Sequence, residues 1–389
     1  MTFIRNCWYV ASWSAKLTES APVAVTVLDE PLVLFRTADG APAALRDCCC
    51  HRNAPLSHGR CENGLLRCMY HGLLFDGDGK CVRIPGQTHI PAPCRVPGYP
   101  TVERHGAIWV WMGNPTQADP GLLPFPAGYD THDWEMPGSH WDLQAHYMLL
   151  NDNLADLSHV AFLHEGTFGG GDTRIAETHP TITRLARGIR VERWLTDRSA
   201  AQDWIRDEVR GGPMPEASGR QELWLSYELL APGIFVMLSE LHSVGVAQES
   251  GYATPIRKPV HANLNFQAMT PISETSTRHF FSLGPPRAET VGYPTLADDV
   301  FRATLKGFDE DRRMLEAQQH NLTRWPIQAA TAIRHDRGVQ LFRRIIDRLI
   351  ALECDSSSAS ASLLQEEPVD EHSVEAAGKE HREHVRHRM

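Results

Sequence analysis

The chain has 389 residues, 42% of them hydrophobic and 22% charged, with 38 basic and 48 acidic side chains and a formal net charge of −10. This composition excludes a wholly disordered chain, a collagen-like repeat and a coiled coil, and the length suffices for one large domain or two moderate ones. The acidic balance argues against nucleic acid or an anionic membrane as partner, no run approaches the ~18 apolar residues of a membrane span, and Met1–Val10 lacks the layout of a secretory signal. A cytoplasmic protein is the expectation.

Val23–Leu28, Leu32–Phe35 and Gly106–Met112 are β-branched or aromatic runs, with turns expected at Glu30-Pro31 and Asp39-Gly40. Residues 1–115 are therefore predicted to form an all-β domain. Seven of the nine cysteines cluster within 47 residues of it: Cys48, Cys49, Cys50, Cys61, Cys68, Cys81 and Cys94, with Cys7 and Cys354 as outliers. An odd, clustered set in a cytoplasmic chain argues against a disulfide framework and asks for a metal.

Cys49-x-His51 is followed, after sixteen residues, by Cys68-x-x-His71. A two-Cys, two-His zinc knot usually opens on C-x2-4-C and closes on H-x3-5-H. Here each loop supplies one Cys and one His. That split suits a Rieske 2Fe–2S cluster, with two imidazoles on one iron and two thiolates on the other. Of the Cys48–Cys50 triplet, only Cys49 satisfies the C-x-H spacing with His51. His58 and Cys61 do not fit the pattern and read as loop residues.

The Pro-rich passage Pro115–Pro137 marks a boundary. Residues 116–352 are predicted to be α+β. A helix is expected over Tyr147–His164, then strands including Ile189–Trp194, Leu223–Leu230 and Ile234–Leu238, then helices over Asp298–Gln319 and Val339–Leu352. From Glu353 onward there are nine acidic and four basic residues, with Ser-rich text at Ser356–Ser362. Residues 353–389 read as a disordered acidic tail.

A second set of metal-binding types lies in Asn153-x2-Asp156-x2-His159-x4-His164. On an ideal helix, residues five apart point about 140° away from each other. His159 and His164 converge only where the helix widens or ends between them. A facial triad for non-haem iron needs two His and a carboxylate. Asp309, Glu310 and Asp311 offer three, and spacing alone leaves the choice open. A Rieske electron carrier would need only the first ~110 residues. The second His/Asp set argues for an enzyme instead.

Together these motifs resemble the oxygenase component of Rieske non-haem iron oxygenases over nearly the whole chain. Phe3–Val10, Ile84-Pro85-Gly86-Gln87, Asp152-Asn153-Leu154, Glu310-Asp311 and Glu316-Ala317-Gln318-Gln319 are similar to the branch that holds vanillate O-demethylase, dicamba O-demethylase and toluenesulfonate methyl-monooxygenase. The resemblance implies an N-terminal all-β Rieske domain and a catalytic domain with an antiparallel sheet and flanking helices. It implies that Cys49, His51, Cys68 and His71 hold one 2Fe–2S cluster, and that His159, His164 and Asp311 hold one mononuclear Fe(II). Asp156 would bond His159 and also His71 of the partner subunit, which implies a homotrimer. Asn153 would sit close to the iron and Gln267 would line the substrate pocket. Electrons would come from NADH through a reductase carrying flavin and a ferredoxin-type cluster. With O2, they would oxidise a methoxy or methyl group of a small acidic aromatic, or the ring of an aryl carboxylate. The Cys triplet is unusual for the wider family, and the tail has no family role.

Overall fold

The computed structural model describes residues 3–123, 133–167, 172–199, 219–325 and 331–356. Contacts divide the chain into two compact units. One holds residues 1–124, 140–150 and 268–280; the other holds 125–139, 151–267 and 281–389.

Eleven short strands form the N-terminal part. β1 (Trp8–Trp13), β2 (Val23–Val27), β3 (Glu30–Arg36) and β4 (Pro42–Arg46) are followed by β5 (Arg60–Glu62), β6 (Leu65–Arg67), β7 (Leu74–Phe75) and β8 (Cys81–Arg83). β9 (Gly98–Tyr99), β10 (Thr101–Arg104) and β11 (Ala107–Trp111) complete the set. They pair in three sheets, ordered β1-β11-β10, β2-β3-β4-β9 and β5-β6-β7-β8. Val33, Phe35, Leu45, Leu56, Leu66 and Phe75 form a buried core, and Cys49 and Cys68 belong to it.

The β2–β3 turn differs from the expectation at Glu30-Pro31. Val27 pairs with Glu30 and Thr26 with Pro31, so the turn is Leu28-Asp29. Both have positive φ, 53° and 63°, as a two-residue hairpin turn of the primed type requires. The Leu28 and Asp29 amides donate to the carbonyls of Pro271 and Ile272, which holds this unusual Leu in place. Pro31 is tolerated near the strand start, where the sequence reading took it for a breaker.

Beyond residue 133 come β12 (Gly138–Leu143), α1 (Tyr147–Ala155) and α2 (Val160–Leu163). β13 (Thr181–Leu185), β14 (Gly188–Ser199), β15 (Arg220–Leu230), β16 (Ile234–Ser243), β17 (His261–Ser273) and β18 (Ser276–Gly284) follow. The seven strands form one sheet in the order β12-β18-β17-β16-β15-β14-β13, and β13 to β16 are an antiparallel meander. Two long helices close the chain, α3 (Leu296–Arg324) and α4 (Arg337–Ser356). The α+β reading and the all-β first domain agree with this architecture.

α3 buries Val300, Thr304, Phe308, Asp311 and Leu315, at steps of three and four residues. That is the core stripe of an amphipathic helix, with an acid in one of its positions. α4 runs on to Ser356, so the first four residues assigned to the tail are helical. The rest of the tail, and residues 124–132 of the Pro-rich passage, lie outside the described residues. No helix among the described residues is long and apolar enough to cross a membrane.

Candidate metal centres

The first centre is built by two loops with the same wiring. In one, the Cys49 amide donates to the Ala54 carbonyl and the Asn53 amide to the Cys49 carbonyl; in the other, Cys68 donates to Leu73 and Gly72 to Cys68. Each bond is 2.9 Å. The residue four beyond each cysteine has positive φ: Asn53 at 55° and Gly72 at 77°. Asn and Gly are the residues that accept this conformation most readily. A Cβ on Gly72 would also approach Pro85 Cγ to 2.8 Å. Pro85-Gly86 forms the turn between Ile84 and Gln87, and this turn packs on the Cys68–His71 loop.

These loops point both thiols inward and both imidazoles outward. Cys49 and Cys68 are each 1% exposed. His51 and His71 are exposed, with ring centroids 4.4 Å apart. Burial pushes the Cys49 thiol up to about 11, so metal must displace its proton. Two adjacent buried thiols and two neighbouring rings fit a Rieske cluster, with the His-ligated iron on the solvent side. Cys68→Ala is expected to abolish the visible absorption of the cluster; a retained Rieske spectrum would rule out this ligand set.

The sequence reading ran one helix from Tyr147 to His164. The structure breaks it at Asp156, whose backbone is extended, and continues as a 3-10 turn and then α2. The Ala155 carbonyl at the break accepts from Tyr227 Oη at 3.1 Å. Asp156 caps the next turn, accepting from the Ser158 amide at 2.9 Å and its hydroxyl at 2.8 Å. His164 follows the last residue of α2 and has left helical geometry. The break and this exit bring the two rings to 5.3 Å.

The three acids on α3 separate into three roles. Asp309 pairs with Arg312 and Arg313 at the surface. Glu310 accepts from His164 Nδ1 at 2.8 Å and from Thr167 Oγ1 at 2.7 Å. Asp311 turns inward, with Oδ1 3.5 Å from His159 Nε2 and 3.2 Å from His164 Nε2. One ligand atom from each of these three residues lies within 4.8 Å of the other two. Adjacent ligands at ~2.1 Å from a metal are about 3.0 Å apart, so the set fits one ion.

Each imidazole has its second nitrogen occupied. His159 Nδ1 lies 2.6 Å from the Asp156 main-chain carbonyl, and His164 Nδ1 faces Glu310. Both partners accept, so both rings carry the proton on Nδ1 and present Nε2 to the metal. Burial holds His159 below the ordinary imidazole range, against the pull of Asp311. Burial also disfavours the charged form of His164, but Asp311 and Glu310 outweigh it and hold that ring raised. Asn153 Nδ2 donates to Asp311 Oδ1 at 2.9 Å and lies 3.3 Å from His159 Nε2.

One expectation is corrected. Asp156 was expected to bond His159 through its carboxylate. In this chain the contact goes to the Asp156 carbonyl, because the carboxylate is taken by Ser158. In the sequence, Glu310 stands only as an alternative to Asp311. Its phase on α3, one position off the buried stripe, is the signal that could have separated them. Glu310→Gln is expected to weaken iron binding about 10- to 100-fold, the usual effect of losing a partner behind a ligand. Iron titration of the apoprotein checks this; unchanged affinity would remove Glu310 from the site.

Beside the triad lies a pocket of about 190 Å³. Cavities of ~150 Å³ admit benzene, so one substituted ring fits. Its floor is apolar on β15 and β16, with Leu223, Leu225, Phe235 and Met237. One wall is polar: His261, Asn263, Asn265 and Gln267 alternate along β17 and so share a face. Gln267 is 2% exposed and lies among the residues that line the pocket.

Residues 7–100 match the family model for the Rieske [2Fe-2S] domain, and residues 143–352 match that for the vanillate O-demethylase oxygenase C-terminal domain. The chain belongs to the Rieske non-haem iron oxygenases. It is 32% identical to the iron-sulfur subunit of the toluene-4-sulfonate monooxygenase system of Comamonas testosteroni, over 90% of this chain and 98% of that one. It is 31% identical to a vanillate O-demethylase oxygenase subunit of a Pseudomonas strain, over 92% and 98%. The crystal structure of dicamba monooxygenase bound to dicamba superimposes with a TM-score of 0.77 at 28% identity, over 91% of this chain and all of that one. This oxygenase therefore carries a Rieske cluster and a non-haem iron, and uses O2.

Proposed function

We propose that this oxygenase removes or hydroxylates a methyl group on a small acidic aromatic, by O-demethylation or methyl hydroxylation. The observation that carries the reading is the one-ring pocket that opens on His159, His164 and Asp311. The iron, when bound, supplies dioxygen activation; three protein ligands leave coordination positions for it. Asn153 holds Asp311 in place, Glu310 orients His164, and the Leu/Phe/Met floor keeps water from the reacting carbon.

Electrons reach the cluster from NADH through a separate flavin and iron–sulfur reductase, inside the cytoplasm. Eight free cysteines among the described residues suit that reducing compartment. Three copies form a ring, in which Asp156 connects His159 to His71 of the partner subunit. The carboxylate oxygens that bind Ser158 each keep a second lone pair for such a donor. The exposed flank of His71, with Met69 and Tyr70 more than half exposed, suits a docking face.

The test is turnover with NADH and a reductase on vanillate, methoxybenzoates and toluene-4-sulfonate. Formaldehyde matching oxygen consumption establishes O-demethylation. A product one oxygen heavier without formaldehyde establishes methyl hydroxylation. A product with two added oxygens on the ring would overturn the reading in favour of ring dihydroxylation.

A further inference from the structure

Away from the metal triad, the polar lining of the pocket includes the β17 stripe and Arg198 on β14. Among the described residues that line the pocket, Arg198 is the one Arg or Lys.

A break in strand register puts it there. Leu195 pairs with Leu223, a pocket residue, but Arg198 pairs with Gln221. Three steps along β14 thus match two along β15, so β14 carries one extra residue. Cross-strand partners share a face, and without the bulge Asp197 would take the pocket-facing position. Asp197 instead has φ 57°, in the left-handed region that Asp tolerates better than most non-glycine residues. Arg174 and Arg220 both donate to the Asp197 carbonyl and lock the bulge.

Arg198 shares its carboxylate with Arg174. Asp172 accepts from Arg174 Nε at 2.7 Å and Nη2 at 2.8 Å, one oxygen each. Arg198 Nε reaches the same carboxylate at only 3.3 Å. The side chains of Arg198 and Asp172 are 9% and 7% exposed. Among the described residues Asp172 is the one acid that Arg198 meets. Asp172 is thus engaged mainly by Arg174, and the contact to the buried Arg198 is the longer one; a buried guanidinium is stabilised by an anion that completes its hydrogen bonds. A guanidinium offers five N–H donors, and only Nε is turned to Asp172.

We propose that Arg198 is the anion anchor of the pocket: its guanidinium binds the carboxylate or sulfonate of the aromatic substrate, whose ring lies on the apolar floor. This rests on the reading that the substrate is a small aromatic.

The test uses the holoenzyme with oxygen excluded. Calorimetry gives Kd for methoxybenzoates and for the corresponding uncharged methoxybenzamides, in wild type, Arg198→Gln and Arg198→Lys. Cluster absorbance and iron content confirm that each variant is folded. The wild type is expected to prefer the acid. Arg198→Gln should lower that preference at least about 30-fold, as for loss of a charge-assisted bond in a desolvated site, and Arg198→Lys should restore part of it. A merely structural Arg198–Asp172 strut would weaken acid and amide alike, leave their ratio unchanged and overturn the proposal. A wild type that binds both equally overturns it while leaving the aromatic reading intact. A wild type that binds neither overturns both. Loss of the acid preference in the Asn265→Leu or Gln267→Leu variant, with Arg198→Gln unaffected, would place the anchor on β17 instead.

Discussion

Asp311→Ala yields protein that keeps the colour of its Rieske cluster and loses its mononuclear iron, falling from about three irons per chain to about two. Asp311 is the only carboxylate among the described residues that meets both imidazoles, and two neutral His alone hold ferrous iron poorly. Turnover should fall below detection, because substrate and O2 then meet no metal. Asp309→Ala is the control, since that acid pairs with Arg312 and Arg313 and points away from the site. Iron analysis of both variants checks the assignment. Full iron in Asp311→Ala, or loss of iron in Asp309→Ala, would show that the wrong acid has been placed at the metal.

Asp156→Asn retains both metal centres and loses turnover, by about 100-fold or more. The substitution is gentle on the fold. Asn can still accept from the Ser158 amide through its oxygen and can donate to the Ser158 hydroxyl, so the cap of the turn survives. The main-chain carbonyl that receives His159 Nδ1 is untouched. What disappears is the negative charge and one acceptor, the features that the proposed link to His71 of the partner subunit requires. Cluster reduction should proceed normally in this variant, while oxidation of the cluster by substrate and O2 slows. Wild-type turnover with full metal content would remove Asp156 from the electron path.

The sequence made the candidate cluster site legible because its residues come from two short loops, each with a Cys and a His at fixed spacing. The structure adds the duplicated hydrogen bonds and the left-handed residue four beyond each cysteine. The β2–β3 turn was misplaced because Pro31 is a strong local signal, whereas Leu28 holds its positive φ through bonds to residues more than two hundred positions away. His159 and His164 were legible as a motif but not as a geometry, since the break at Asp156 depends on a cap and on Tyr227 from a distant strand. Asp311 could have been chosen by helical phase, from the stripe Val300, Thr304, Phe308 and Leu315. Arg198 could not, because a one-residue bulge decides its face and no local pattern announces it.

A single turnover of the isolated oxygenase tests the central claim most directly, that one chain carries both the electron store and the oxygenating iron. The protein is reduced chemically, freed of reductant, and mixed with O2 and a methoxybenzoate in the absence of any reductase. Loss of the reduced-cluster spectrum together with formaldehyde or hydroxylated product is the expected result, and Asp311→Ala protein should form no product. Absence of product from fully reduced, iron-replete wild type on every aromatic acid tried would contradict the claim and leave the chain an electron carrier.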